Sequence, residues 1–292
     1  MNYELLKNYI GHDPIKIAKM YKDGISIDKI RREFKIGEKK VKKVLSFYNI
    51  PIINKTQICH FNQNIFDSID SEEKAYWLGF IFADGCIYSK SKIFELSLSL
   101  DDLDHLAKFH KFMEHDDVNH IIIDKGRNRC RWTVGNKHLW ETLNTIGCVP
   151  NKSLILKFPD KSIFKSEDLI RHFIRGYVDG DGSISYRDLN HSDINFQVLG
   201  TYEFLSELQK WLPLQQTYKM FQKTANVNTW TFRLNEGIGL LSVDYLYNNS
   251  NIYLQRKYDR YYEFLCLPRL KNLMEKLGNI GENCDVNTEI NN

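Results

Sequence analysis

Two stretches, AYWLGFIFADGCIY at residues 75–88 and HFIRGYVDGDGSIS at residues 172–185, are variants of one another. Their final aspartates, Asp84 and Asp181, stand roughly one hundred residues apart, the length of a small domain. Downstream the correspondence holds its phase. WTV at 132–134 finds its partner in WTF at 230–232, and the helical patterns of 103–113 and 202–212 fall in step. A duplication of this kind implies two similar half-domains about a pseudo-two-fold axis, which suits a partner with its own two-fold symmetry, such as duplex DNA.

Within each stretch the small residues carry the packing. Gly79 and Ala83 are four apart, as are Gly176 and Gly180, so each pair lies on one face of a helix. Glycine inside a helix costs about 1 kcal/mol relative to alanine. Small residues at that spacing let two helix backbones approach closely, so Gly79 and Gly176 are expected to form the contact between the two helices. Each helix then stops at Asp-Gly. A carboxylate at a helix C-terminus opposes the helix dipole, and close packing brings both acids to one end of the pair. At about 5 Å and an effective dielectric near 20 their repulsion is on the order of 3 kcal/mol. Divalent cations would reverse that sign, and paired carboxylates beside a phosphodiester suit metal-assisted hydrolysis.

WLGFIFADG (77–85) and IRGYVDGDG (174–182) resemble the two signature helices of a single-chain LAGLIDADG homing endonuclease. The resemblance spans roughly residues 66–265. It implies an α+β fold of two pseudo-symmetric αββαββα repeats with saddle-shaped antiparallel sheets. It also implies site-specific double-strand cleavage of DNA by a monomer, with Mg²⁺ or Mn²⁺ as cofactor. In that family the last acid of each motif binds the catalytic metals, here Asp84 and Asp181, with the carbonyls of Ala83 and Gly180 assisting. A basic residue beside each scissile phosphate corresponds to Lys152 and Lys257, placed to stabilise developing phosphoryl charge or help activate water. There is one departure from the family pattern: the earlier acid of the motif is Asp179 in the second repeat but Phe82 in the first.

The strands alternate with period two. Cys130, Trp132 and Val134 form an apolar side, against Arg129, Arg131 and Thr133. Trp230, Phe232 and Leu234 oppose Thr229, Thr231 and Arg233, while Ile194, Phe196 and Val198 oppose Asn195 and Gln197. After the two Asp-Gly pairs, Tyr88 and Lys90 correspond to Ser185 and Arg187. Glu95 is a rare acid on these polar faces, whose side chains are those that bond base edges and phosphates. An antiparallel ribbon fits the major groove, so each repeat is expected to read one half-site.

Charge is unevenly spread. Residues 1–60 carry thirteen Lys/Arg against six Asp/Glu, whereas the whole chain is only +3. Asp13-Pro14 starts a helix with stripe Ile15, Ala18 and Tyr21, which Gly24 ends. Ser26 caps a second with Ile27, Ile30 and Phe34, and Lys35-Ile36-Gly37 turns into a third that buries Val41, Val44, Leu45 and Tyr48. Three short helices with that turn match a helix-turn-helix over residues 1–50. Its last helix exposes Lys39, Lys40, Lys42 and Lys43. Lysines make good phosphate contacts and poor base readers, so Lys39, Lys40 and Lys43 are expected to lend affinity rather than sequence choice.

A linker over 51–65, repeats over 66–165 and 166–267, and a fraying acidic tail over 268–292 complete the expected layout. The composition, 42% hydrophobic and 26% charged, is that of a globular protein. The longest near-apolar run, 75–83, is too short to span a bilayer, and the N-terminus lacks a secretion signal. The six cysteines form no C-x-x-C pair, as expected of thiols in a reducing, intracellular compartment. His105, His110, His115 and His120 step by five, so they cannot share one helix face and read as surface and loop residues. Neither terminus has the residues of intein splicing, and a freestanding protein is expected. Two other functions are open to such a chain. An RNA maturase would bind intron RNA, and an inactive regulator would reuse the scaffold to bind DNA; retention of both Asp84 and Asp181 speaks against each.

Overall fold

The computed structural model describes residues 2–23, 25–50, 52, 61–115, 121–186, 194–223 and 227–267. Arg187, Gly24, His120 and the tail 268–292 lie outside them. The chain divides into two compact units, residues 1–59 and 60–292.

The second unit is two αββαββα runs in series. The first consists of α5 (Glu72–Asp84), β1 (Gly85–Tyr88), β2 (Ile93–Ser99), α6 (Leu103–Phe112), β3 (Ile121–Asp124), β4 (Arg129–Gly135) and α7 (Lys137–Ile146). The second repeats the order with α8 (Asp168–Asp181), β5 (Gly182–Tyr186), β6 (Ile194–Gly200), α9 (Tyr202–Gln209), β7 (Phe221–Gln222), β8 (Trp230–Asn235) and α10 (Glu236–Tyr247), then adds α11 (Gln255–Cys266). Each run folds its strands into a four-stranded antiparallel sheet, in the orders β1-β2-β4-β3 and β5-β6-β8-β7. The α+β class and the element order are those expected.

The local signals are the familiar ones. Ser71 caps α5 by accepting from the Lys74 amide, and Glu72 and Glu73 fill the first turn, where the dipole favours acids. From Ala75 to Phe82 every residue of α5 is buried, and from His172 to Asp179 every residue of α8. A helix buried all round belongs at the centre of a core, and α8 takes His172, Arg175 and Asp179 in with it. Helix α5 lies against α8, and both sheets close over the pair. Trp77, Phe94, Phe109 and Trp132 pack together on one side. Phe173, Tyr177 and Phe204 do so on the other.

Three expectations change here. His105, His110 and His115 are buried rather than on the surface: the ring of His105 lies among Tyr76, Trp77 and Phe80, and that of His115 between Phe61 and Trp132. Phe61 packs on Trp132, and Ile65 is buried, so the packed body begins before residue 66. Thr231 is buried too. Its strand neighbours are Leu199 and Phe221, so the polar stripe of this sheet has turned apolar by that row.

Among the described residues the first unit has four helices where three were expected: α1 (Tyr3–Ile10), α2 (Pro14–Lys22), α3 (Ile27–Phe34) and α4 (Glu38–Phe47). Asn2, Asp13 and Ser26 cap the first three. Leu6, Ile10, Ile17, Ile30, Val41, Val44 and Leu45 form its core. In the α3–α4 turn the left-handed residue is Lys35, at φ 51°, and not Gly37. Among the described residues no helix is long and apolar enough to cross a membrane.

Candidate active site

The glycines set how closely α5 and α8 approach. A Cβ on Gly79 would overlap the carbonyl of Phe173 and come to 2.9 Å from the Tyr177 nitrogen. A Cβ on Gly176 would overlap the carbonyl of Tyr76 and come to 2.9 Å from the Phe80 nitrogen. The two backbones therefore touch at symmetry-related points. One turn further on, a Cβ on Gly180 would strike the Cβ of Ala83 and reach 2.9 Å from Asp84 Oδ2. Any side chain at 180 would thus press on Ala83 and the Asp84 carboxylate, and glycine avoids that clash.

The helices deliver Asp84 and Asp181 to the same end of the pair, both half-buried. Burial pushes the Asp84 carboxyl up to about 7, and the charge of Asp181 adds to the rise, against the pull of Lys152 and Lys257. Asp181 is also raised by burial, while Lys152, Lys257 and the nearby Tyr177 hold it down. Tyr177 has Phe80 as its counterpart in α5, so this phenol has no match in the first motif.

Both lysines are buried at the helix ends. The ammonium of Lys152 donates to the Ala83 carbonyl at 2.8 Å. That of Lys257 donates to the carbonyls of Val178, Asp179 and Gly182 at 2.6, 2.7 and 2.7 Å. Cations on the last carbonyls of a helix offset its dipole. The aspartates that oppose the dipoles thus come with lysines that answer them. Burial lowers the Lys257 ammonium to about 8, against the neighbouring charge of Asp179.

Asp179 is the residue whose role the sequence hides. Fully buried, it accepts from the hydroxyls of Tyr76 at 2.7 Å and Tyr247 at 2.5 Å and from the Leu254 amide at 2.7 Å. The Tyr76 oxygen lies 2.9 Å from His105 Nε2. Since its one proton goes to Asp179, His105 donates from Nε2. Burial depresses the His105 ring to about 3, which keeps it neutral. Arg175, fully buried, ties the repeats together by donating to Glu72 at 2.7 Å and to the carbonyls of Leu246 and Ile252, both at 2.9 Å. A buried charge surviving in one motif and not in the other was the available signal for a structural partner set.

The sheets grow straight out of the acids: Asp84 is followed by β1 and Asp181 by β5, each an edge strand. Away from the helices, the rows across the first sheet run Cys86–Glu95–Thr133, then Ser97–Arg131–Ile122, then Ser99–Arg129–Asp124. Glu95 accepts from Arg131 at 3.5 Å and Thr133 at 3.3 Å. Tyr88 and Lys90 are exposed at the far end of β1. In the second sheet the rows are Ser185–Asn195–Asn235 and Ser183–Gln197–Arg233. Asn195 donates to Ser185 at 3.2 Å and Arg233 to Gln197 at 2.9 Å. Thr231 has no place in this surface.

In the first unit Lys39 and Lys43 are exposed, while Lys40 turns inward. Its ammonium sits 5.4 Å from the centre of the Tyr9 ring and donates to the Ile10 carbonyl at 3.4 Å. Lys42 pairs with Glu38 at 2.7 Å.

The donor set of the site is hard oxygen. Among the described residues no three His, Cys, Asp or Glu gather as a metal cluster. Two carboxylates brought to one end of the helix pair fit Mg²⁺, which keeps several waters and takes one or two carboxylates plus phosphate oxygens. Asp84 and Asp181 would hold it. The Ala83 carbonyl is already engaged by Lys152, while Gly180 lies in the last turn of α8.

No family model matches this sequence, and no curated protein does. Solved structures do match in fold. The homing endonuclease I-GzeII in complex with its DNA target is 15% identical, with 76% of this chain and 100% of that chain covered and a TM-score of 0.46. I-SmaMI bound to uncleavable DNA is 13% identical over 71% of this chain and 95% of that one, with a TM-score of 0.46. I-LtrWI bound to target DNA is 11% identical over 75% and 100%, with a TM-score of 0.44. In fold, the chain is similar to LAGLIDADG homing endonucleases.

Proposed function

We propose that this protein is a site-specific, divalent-metal-dependent double-strand DNA endonuclease. The observation that carries the reading is the pair of half-buried carboxylates, Asp84 and Asp181, held against each other by two glycine contacts. A fold gains nothing from forcing two acids together at the ends of two helix dipoles. A nuclease gains a seat for cations.

A bound divalent cation supplies charge to a phosphoryl group and offsets the build-up on its attacking and leaving oxygens. The chain supplies the rest. Asp84 and Asp181 fix the position of that charge, and a lysine at the helix end is placed to stabilise the pentavalent phosphorus. Ser185, Asn195, Gln197 and Arg233 in one sheet, and Arg129, Arg131, Thr133 and Tyr88 in the other, offer donors and acceptors for base edges. Lys39 and Lys43 of the first unit would add phosphate contacts.

The test is cleavage of a plasmid library bearing randomised duplex inserts, with Mg²⁺ or Mn²⁺ and with EDTA. Linear product from a restricted set of inserts, abolished by EDTA, is expected. Selective binding of a structured RNA with no cleavage of any insert would replace this reading with the maturase one.

A further inference from the structure

The strand register makes the two sheets comparable residue by residue. In each, the glycine after the site acid opens the first strand and pairs with the second, Gly85 with Leu96 and Gly182 with Val198. Counted from that pair, the row Cys86–Glu95–Thr133 matches Ser183–Gln197–Arg233. The next row is Ser97–Arg131–Ile122 in the first sheet and Leu199–Thr231–Phe221 in the second. Ile122 and Phe221 therefore hold the same place, on the edge strand farthest from β1 or β5. The shared WTV and WTF stand two residues out of this register, so only the structure shows the match.

Both side chains are large, apolar and open to solvent, Ile122 45% exposed and Phe221 51%. One such residue on a surface needs no explanation, but the same place in both sheets does. Cations flank them: Arg131 is the row neighbour of Ile122, and the Lys219 ammonium lies 5.4 Å from the centre of the Phe221 ring. A cation beside an apolar tip suits a groove walled by phosphates. It suits an added protein strand less well, and β7, two residues long, offers such a strand too little backbone. In the major groove the apolar group on a base edge is the C5 methyl of thymine.

We propose, building on the DNA-binding part of the nuclease reading, that Ile122 and Phe221 each cover the methyl group of one thymine. The target then carries a thymine at matching places on either side of its centre. An apolar side chain gains nothing from a phosphate, so these two positions choose sequence rather than add affinity for any duplex.

The experiment uses the full chain and duplexes selected by binding from a randomised library, without divalent metal. Thymine should be enriched at two positions equally far from the centre. Each thymine of a selected duplex is then replaced in turn by deoxyuridine, which removes the methyl and keeps every hydrogen-bonding group. Fluorescence anisotropy should show a roughly three- to five-fold loss of affinity at one thymine in each half, the worth of one buried methyl group. Ile122→Ala should abolish the loss in one half only and Phe221→Ala in the other, with affinity for random duplex unchanged.

Equal affinity for thymine and uracil duplexes at every position would overturn the proposal, as would variants that keep both losses or weaken target and random duplex alike. So would a wild-type dimer that Ile122→Ser makes monomeric, which would assign the edges to a second copy of this chain. The uracil scan needs no variant, so it decides the matter even if a variant fails to fold. Methyl-dependent binding without cleavage in Mg²⁺ would remove the nuclease reading and leave this inference standing. No selective binding to any duplex would remove both.

Discussion

Gly176 abuts the carbonyl of Tyr76 with no room for a methyl group between them, and Gly79 does the same against Phe173. Two helices that meet backbone to backbone cannot absorb a side chain by rotamer change. Gly176→Leu is therefore expected to cost at least about 3 kcal/mol, overpacking outweighing the ~1 kcal/mol gained in helix propensity. Urea unfolding measures it. A wild-type midpoint would mean the helices do not touch there.

The site acids are expected to matter for cutting and not for holding DNA. Asp84→Asn and Asp181→Asn should each lose double-strand cleavage while affinity for the same duplex, measured without metal by fluorescence anisotropy, stays within about three-fold. Cleavage by the Asp181→Asn protein at the wild-type rate would discard the shared-metal site.

A pH dependence follows from Asp84. Its carboxyl titrates near 7 in the folded protein, against an ordinary value near 4. The folded state thus binds this proton more tightly than the unfolded state does. The associated stability is complete below about pH 4 and is lost as pH rises to 7, on the order of 4 kcal/mol in metal-free protein. Burial depresses His105 and His172, to about 3 and about 4, so they weaken the fold in the opposite direction as pH falls below 6.5. Subtracting the melting curve of Asp84→Asn from that of the wild type between pH 4.5 and 8 cancels the histidines. The difference should shift toward the variant as pH rises; a flat difference would show an ordinary Asp84.

Asp179 should prove the most sensitive acid for folding. Asp179→Leu would leave Tyr76, Tyr247 and the Leu254 amide without their acceptor, at a cost of roughly 3–5 kcal/mol. Phe82→Leu, at the matching place in α5, removes only apolar packing and should cost about 1–2 kcal/mol. Calorimetry on the two variants compares them directly, and equal losses would contradict the hydrogen-bonded role of Asp179.

In the first unit, replacing Lys39 and Lys43 with Gln should weaken binding to target and random duplex alike. The slope of log K against log salt should fall by about one unit for each phosphate that is no longer neutralised. Lys40→Gln should leave that slope nearly unchanged, because its ammonium faces Tyr9 and Ile10. A weaker preference for the target at constant slope would make this unit a base reader.

What could be read from the residues was whatever repeats or alternates. The duplicated small-residue spacing located Gly79, Gly176, Asp84 and Asp181, and the period-two pattern placed Arg131, Gln197 and Arg233 on the open faces. Features built by distant partners could not be read that way. Asp179 meets Tyr76, Tyr247 and Leu254 from three separate segments. The five-residue spacing of His105 and His115 shows that they share no helix face, but says nothing of burial among aromatic rings. Lys40 lies on the exposed side of its own helix and is covered only by α1, a separate segment. Thr231 fits the alternation yet lies at a row where its strand neighbours are apolar.

Asp84 is joined to Gly85 and so to the first strand of one sheet, as Asp181 is through Gly182 to the first strand of the other. On the nuclease reading proposed above, no hinge would separate the aspartate from the strand offered to the groove. On that reading each sheet would be a ruler whose zero mark is its aspartate, and the distance from recognised base to broken bond would be written in covalent geometry. Exchanging side chains on the open faces would change which sequence is chosen and leave the cut at the same offset.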